Sequence, residues 1–114
     1  MSNENNIYQF PDGDADVSNC AYAAVMSKTV ENSETVLTVA QMTGAGTLNL
    51  VLGTRIRAGH NLTVKVSADG TNRVLTLGTG FTGNAYTVTA NKNAVLSFKY
   101  DGSKFVNTAA ILTN

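Results

Sequence analysis

Leu62-Thr63-Val64-Lys65-Val66-Ser67-Ala68 alternates apolar and polar side chains, breaks at Asp69-Gly70 and resumes as Val74-Leu75-Thr76-Leu77. The same rhythm returns in Val95-Leu96-Ser97-Phe98-Lys99-Tyr100, which runs into Asp101-Gly102 and leaves through Phe105-Val106. Side chains in a strand point to opposite faces with a period of two, so this alternation builds a sheet with one buried face. Asp-Gly favours tight hairpin turns because both residues tolerate positive φ. A two-residue turn at Asp69-Gly70 would set Val64 opposite Leu75 and Leu62 opposite Leu77, a consistent core face. At Asp101-Gly102 the same turn would oppose Lys99 and Lys104, an unfavourable like-charge pair. A three-residue loop of Tyr100-Asp101-Gly102, with Gly102 in the left-handed region, avoids this and sets Leu96 opposite Val106.

Outward from this stretch, Thr35 to Ala40 reads as a strand ended by Thr43-Gly44-Ala45-Gly46. Thr47 to Leu52 is the next, with Leu48, Leu50 and Leu52 on one face, and Arg55 to Asn61 is a connecting loop. Ala85 to Ala90 and Thr108 to Thr113 are further strands. Residues 17 to 30 are ambiguous, since Ala21, Ala23 and Ala24 favour helix while Tyr22, Val25, Thr29 and Val30 favour strand. The shared parity of Val17, Asn19, Ala21, Ala23 and Val25 selects a strand. The expectation is an all-β domain over 17–114, a small antiparallel β-sandwich or barrel of seven or eight strands. Its core is Leu50, Leu62, Val64, Val66, Leu75, Leu77, Val88, Leu96 and Phe98. Residues 1–16 are an extended N-terminal arm holding the only proline, Pro11, which turns Phe10 away from helix.

The chain has 114 residues, enough for one domain with a modest core. Its 8 basic and 8 acidic side chains balance overall. Residues 1–34 nevertheless carry Glu4, Asp12, Asp14, Asp16, Glu31 and Glu34 against Lys28 alone, and the remainder is correspondingly basic. Such a split suits an acidic arm lying on a basic surface; a simpler reading is an arm kept soluble by its charge. Ile7, Tyr8 and Phe10 are apolar anchors within it, and Asp12, Asp14 and Asp16 are electrostatic guides. With no Lys/Arg run, nucleic-acid binding is not expected. No apolar stretch approaches the ~20 residues of a membrane span, and the polar, acidic N-terminus is unlike a secretory signal. The expectation is a soluble protein made in a cytoplasm. Cys20, the only cysteine, has no partner for a disulfide within the chain and sits among alanines as a small core residue.

Motifs with chemical meaning lack their contexts. Gly78-Thr79-Gly80-Phe81-Thr82-Gly83 matches the dinucleotide fingerprint, but a strand follows it where a helix is needed. Asp12, Asp14 and Asp16 resemble the start of a calcium loop, yet Val17 and Ala23 stand where glycine and glutamate are required, leaving at most a weak cation site. His60, the only histidine, lies between Gly59 and Asn61 in a loop with no nucleophile elbow in the chain, so a His60-based hydrolase ranks last. Asn61-Leu62-Thr63 fits a glycosylation sequon, which matters only on secretion. No enzyme, cofactor or metal site is expected.

The run from Gly59-His60-Asn61-Leu62 through Asp69-Gly70-Thr71, Thr87-Val88-Thr89-Ala90-Asn91-Lys92 and Phe98-Lys99-Tyr100-Asp101-Gly102-Ser103-Lys104-Phe105 resembles small β modules of tailed-bacteriophage virion proteins. These occur in head decoration proteins, head fibres and tail fibres. The similarity covers roughly residues 35 to 108 and lies in cadence and turn placement. Phe105 stands where such modules often place a Trp after a D-G-[ST] turn. The resemblance implies a non-enzymatic auxiliary or decoration protein on the capsid surface of a virion, made in the bacterial host cytoplasm. It also implies attachment to the major capsid protein. A homo-oligomer is expected, with a trimer favoured, because a small sheet domain leaves edge strands open. The alternative is a receptor- or glycan-binding module of a fibre, with Phe81, Tyr86 and Tyr100 near loops available to stack on sugars.

Overall fold

The computed structural model describes residues 15–83 and 85–114. All regular structure among them is β. Nine strands follow in order: β1 (Ala15–Cys20), β2 (Val25–Val30), β3 (Glu34–Val39), β4 (Gly46–Leu52), β5 (Asn61–Ser67), β6 (Arg73–Leu77), β7 (Ala85–Val88), β8 (Asn93–Tyr100) and β9 (Phe105–Thr113). They form a five-stranded sheet, β9-β8-β5-β3-β1, and a four-stranded sheet, β2-β4-β6-β7.

The chain changes sheet at every step from β1 to β6. It therefore winds as three coils, each giving one strand to either sheet, and like strands of successive coils lie side by side in parallel. β1 pairs β3 and β3 pairs β5 in one sheet; β2 pairs β4 and β4 pairs β6 in the other. Only the last three strands reverse: β7 runs antiparallel to β6, β8 to β5 and β9 to β8. Of the two expected architectures, sandwich or barrel, the two-sheet sandwich is present, but its sheets are mixed and mostly parallel where antiparallel pairing was expected.

The corners carry the ladder from coil to coil. Ala40 N–H donates to Cys20 O, Met42 to Ser67 O, Thr47 to Ala24 O and Gly53 to Val30 O, all within 3.0 Å. Tyr22, in the first corner, donates its hydroxyl to Ala45 O in the next at 2.6 Å. Backbone groups that a loop would otherwise present to solvent are paired in this way. Successive coils share one apolar interior, and all nine expected core residues are buried in it, joined by Met26, Val30, Leu37, Leu48, Phe81 and Phe105. Two tilted ring pairs, Phe81–Phe98 at 4.9 Å and Tyr100–Phe105 at 5.1 Å, fill the end where the chain reverses.

The parallel winding explains each departure from the expected register. Leu62 lies beside Thr35 and Phe98, not Leu77, and Val64 beside Leu37 and Leu96, not Leu75. Asp69-Gly70 is a corner between sheets, and neither residue has the positive φ that a hairpin turn would need. Asp69 N–H donates to Met42 O, Asn91 N–H donates to Asp69 O, and the Asp69 carboxylate grips Arg73 through two bonds of 2.8 Å. The β8–β9 turn does place Gly102 at φ 104°. Its loop, however, is Asp101-Gly102-Ser103-Lys104, so Phe105 faces Tyr100 and Lys99 faces Val106. Asp101 Oδ1 accepts from the Ser103 and Lys104 amides at 2.8 Å, which stabilises this longer turn. A bulge between Asn107 and Ala109 then brings Leu96 opposite Ala110, not Val106.

The ambiguous stretch 17–30 is neither helix nor one strand. It bends at Ala21–Ala24 and gives a strand to each sheet, so the parity shared by Val17 and Val25 marks the outer surface: they are 76% and 67% exposed. Residues 15 and 16, assigned to the arm, belong to β1.

The glycines separate a corner from a close approach. A Cβ on Gly70 would meet nothing within 4 Å, whereas one on Gly80, at φ 91°, would lie 2.8 Å from Leu50 Cβ. Gly70→Ala should leave stability unchanged or raise it by up to about 1 kcal/mol through the unfolded chain. Gly80→Ala should lower it by at least 1–2 kcal/mol from the left-handed strain alone. Urea unfolding of the two variants checks this, and a Gly70→Ala as damaging as Gly80→Ala would contradict the corner geometry. Within the core, Leu75→Ala should cost about 2–5 kcal/mol, since transfer and cavity contributions add. Thr35 points into the same core with its hydroxyl buried and unpartnered. Thr35→Val, nearly isosteric, should therefore stabilise by about 1 kcal/mol in the same measurement.

Candidate functional site

The sequence assigned binding to Ile7, Tyr8, Phe10, Asp12, Asp14 and Asp16. The first five lie outside the described residues. Asp16 lies in β1, and its place in the pleat decides what it can do. Asp16, Ser18 and Cys20 pair with the inward residues Thr35, Leu37 and Val39 of β3, so all three point between the sheets. Lys28 occupies the corresponding inward position on β2, between the buried Met26 and Val30.

Asp16 and Lys28 meet across the sandwich at 2.7 Å, about a quarter and a fifth exposed. Lys28 Nζ also donates to Ser18 Oγ at 3.0 Å, and Ser18 Oγ donates to Asp16 Oδ1. The three side chains form a closed polar group at the open end of the first coil. An inward charge at an edge is one of the devices that keeps a further strand from adding there. Asp16 therefore acts first as a structural plug, and its carboxylate is not free to steer a partner.

Several other ionisable groups are also engaged in the fold. Asp69 holds Arg73, Asp101 holds its turn, and Glu31 lies 3.8 Å from Arg55. His60 Nδ1 accepts from the Arg57 amide at 3.3 Å, and its own amide returns a bond to Arg57 O, so the ring closes the Arg57–His60 loop. Among the described residues, no three His, Cys, Asp or Glu side chains gather in a way that could hold a metal ion. The glycine-rich run 78–83 lies against β4: Leu50 N–H donates to Thr79 O, and Thr79 N–H donates to Asn49 Oδ1. Gly78 stands where a Cβ would come within 2.1 Å of that same oxygen. This loop extends the ladder of β4 and packs too closely to cradle a phosphate.

Two exposed features stand out. One is a shallow depression of about 200 Å³ at the ends of β3, β5 and β8, lined by Thr38, Lys65, Ser67, Asn93 and Val95. The other is β9. It is the surplus strand of the larger sheet, and every residue after Phe105 is exposed. Ile111 is 55% exposed, and Leu112 and Val106 are 40% and 36%. Sequence reasoning gave this strand no face, because Phe105-Val106-Asn107-Thr108-Ala109-Ala110-Ile111-Leu112-Thr113 does not alternate apolar and polar side chains. The available signal was the lack of any charge after Lys104.

The aromatic trio offered for sugar stacking is not at the surface as a set. Phe81 and Tyr100 are buried in the core, and Tyr86 is half-buried against it. Cys20 is also half-buried, its thiol donating to Ala21 O. No protein-family profile matches the chain, and no curated protein matches it.

Hydrogen bonds from Lys28 and then Ser18 hold the Asp16 carboxyl below its ordinary pKa, with burial opposing them. A depressed carboxyl stabilises the fold fully above the unfolded value of about 3.9 and loses that contribution as pH falls through the folded value. Asp69, held down by Arg73, and Asp101, held down by the Lys104 and Ser103 amides, act with the same sign. Asp16→Asn should lower the melting temperature at pH 7 and flatten, without abolishing, its fall between pH 4 and pH 2. Thermal unfolding across that range checks this; an unchanged acid slope would mean that the pair contributes nothing.

Proposed function

We propose that this chain is a non-enzymatic structural protein of a tailed-phage virion, an auxiliary or decoration protein that binds the major capsid protein and stabilises the head. The reading rests on the resemblance of residues 35 to 108 to phage β modules. The observation that supports it best is where the residues of that resemblance lie. Asp69 clamps a corner, Asp101 caps a turn, and Phe105, in the usual Trp position, is wholly buried against Tyr100. The cadence is thus a framework of corners and core. Partner recognition is left to the surface and to what precedes β1.

The acidic residues Glu4, Asp12 and Asp14 and the apolar Ile7, Tyr8 and Phe10 all lie before Ala15 in the sequence. In this reading they reach a neighbouring capsid subunit, the apolar groups supplying affinity and the carboxylates partner choice. A large apolar side chain contributes about 1.5–3 kcal/mol on full burial, whereas exposed carboxylates mainly affect encounter rate and are screened by salt. Sister copies of the chain are the second class of partner. A glycan-binding reading loses its motive with Phe81 and Tyr100 in the core.

Deleting residues 1–14, which stops short of β1, should leave the melting transition of the β domain in place while weakening its incorporation into heads. Replacing Tyr8 and Phe10 by Ala should weaken binding more than a rise to 0.5 M salt does. Co-sedimentation with empty heads, against purified tails as the control, reads both. Recovery with tails and not heads, or full incorporation of the truncated chain, would overturn the assignment.

A further inference from the structure

The sheet edges that carry no further strand among the described residues are not alike. β1 and β2 end the first coil, and their interior is closed by the inward Asp16–Ser18–Lys28 group. β7, at the far edge of the smaller sheet, is only four residues long. β9 has neither protection. It runs nine residues, Phe105 to Thr113, with no charge and no proline, and among the described residues one long edge carries no strand. Natural sheets blunt such edges with lysine, proline, inward charge, bulges or short length, and of these β9 has only the bulge between Asn107 and Ala109.

We infer that the β9 edge is the self-association surface of this protein, pairing antiparallel with β9 of a second copy about a two-fold axis. The inference rests on the self-association part of the proposed function and not on attachment to a capsid. A second copy is the occupant that the chemistry favours. The edge is neutral, so identical edges meet without repulsion, whereas an acidic or basic partner would find no complementary charge. Its exposed side chains are small or aliphatic on both faces: Val106, Ala109 and Ile111 on one, Ala110 and Leu112 on the other. The ladder to β8 already occupies the other edge of β9, so the free amides and carbonyls of alternate residues all point away from the molecule.

Two-fold symmetry is the natural closure. An isologous contact uses the same patch twice, and two identical edges related in this way run antiparallel. A trimer would need β9 to meet a different patch on the next copy, and the other open edge of its own sheet, β1, has Asp16 turned inward. The bulge at Asn107 leaves Ala109 to Thr113 as the regular part of the edge, where pairing would centre. The result joins two five-stranded sheets into one of ten.

The test uses the full chain alone, without capsid, so its outcome is separate from that of the head-binding experiment. Sedimentation velocity over a concentration series should show a monomer–dimer equilibrium. Hydrogen exchange should show β9 amides gaining protection as concentration rises, while β1 and β7 amides do not. Ile111→Lys combined with Leu112→Lys puts four cations at the contact and should raise the dimer dissociation constant at least tenfold. Val17→Lys, on the exposed face of β1, should leave it unchanged. A monomer at every concentration, a trimer, or β9 amides protected equally at all concentrations would overturn the inference, the last because the chain's own N-terminal residues would then cover the edge. So would a dimer that the paired lysines leave intact. Should the lysine variant fail to fold, exchange on the unaltered protein decides alone.

Discussion

The parallel backbone ladder from coil to coil is the constraint on which the rest of this structure depends. A 114-residue chain buries a core only if its apolar faces meet, and here each of the first six strands meets an opposite sheet as soon as the chain turns a corner. The corners work because their amides and carbonyls bond to the corners above and below, as Ala40 does to Cys20 and Gly53 to Val30. Without those bonds, each sheet change would leave polar backbone at the margin of the core, at a cost of about 1–3 kcal/mol per unsatisfied group. The glycines near Asn49 and Leu50 serve the same requirement by letting residues 78–80 approach β4 closely enough to continue the pairing.

A stack of coils must end twice, and the two ends are resolved by different physics. At the first coil the interior stops being apolar, because Asp16, Ser18 and Lys28 stand where β3 and β4 carry Thr35, Leu37 and Leu50. At the last coil the chain reverses. β7 and β8 each add an antiparallel strand, the Phe81–Phe98 and Tyr100–Phe105 pairs fill the space between them, and β9 adds one strand more than the opposite sheet can cover. The first end is closed chemically; the second is closed only within the sandwich and, among the described residues, left open along β9.

The class of fold and, among the described residues, nine of its twenty buried core residues were legible in the sequence, because period-two alternation reports burial whatever the direction of the neighbouring strand. Leu62, Val64 and Val66 face inward equally well beside an antiparallel β6 or a parallel β3. The same indifference hid the topology. Asp69-Gly70 carries hairpin chemistry, yet its φ values are those of a corner, and the residues that fix it, Met42 and Asn91, are distant in sequence. Coil spacing gave no warning either. Ala15 lies beside Glu34 and Glu34 beside Asn61, offsets of 19 and then 27 residues, so no repeat is visible. Of the candidate site, only Asp16 falls among the described residues, and its partner Lys28 was read as a lone counter-charge to the acidic arm.

The placement of charge bears on what such a molecule can do. Asp16, Asp69 and Asp101 have their carboxylates bonded to cations, a hydroxyl or backbone amides of the same chain, and each is held below its ordinary pKa by those bonds. A carboxylate stabilised in that way is a poorer base than a free one, because its proton affinity has been lowered by the contacts that orient it. The single imidazole likewise has Nδ1 committed to a loop amide. Chemistry at neutral pH needs groups whose affinities are moved towards that pH, whereas these carboxyls are moved away from it. The direction of the shifts suits a scaffold whose charges lock corners and turns.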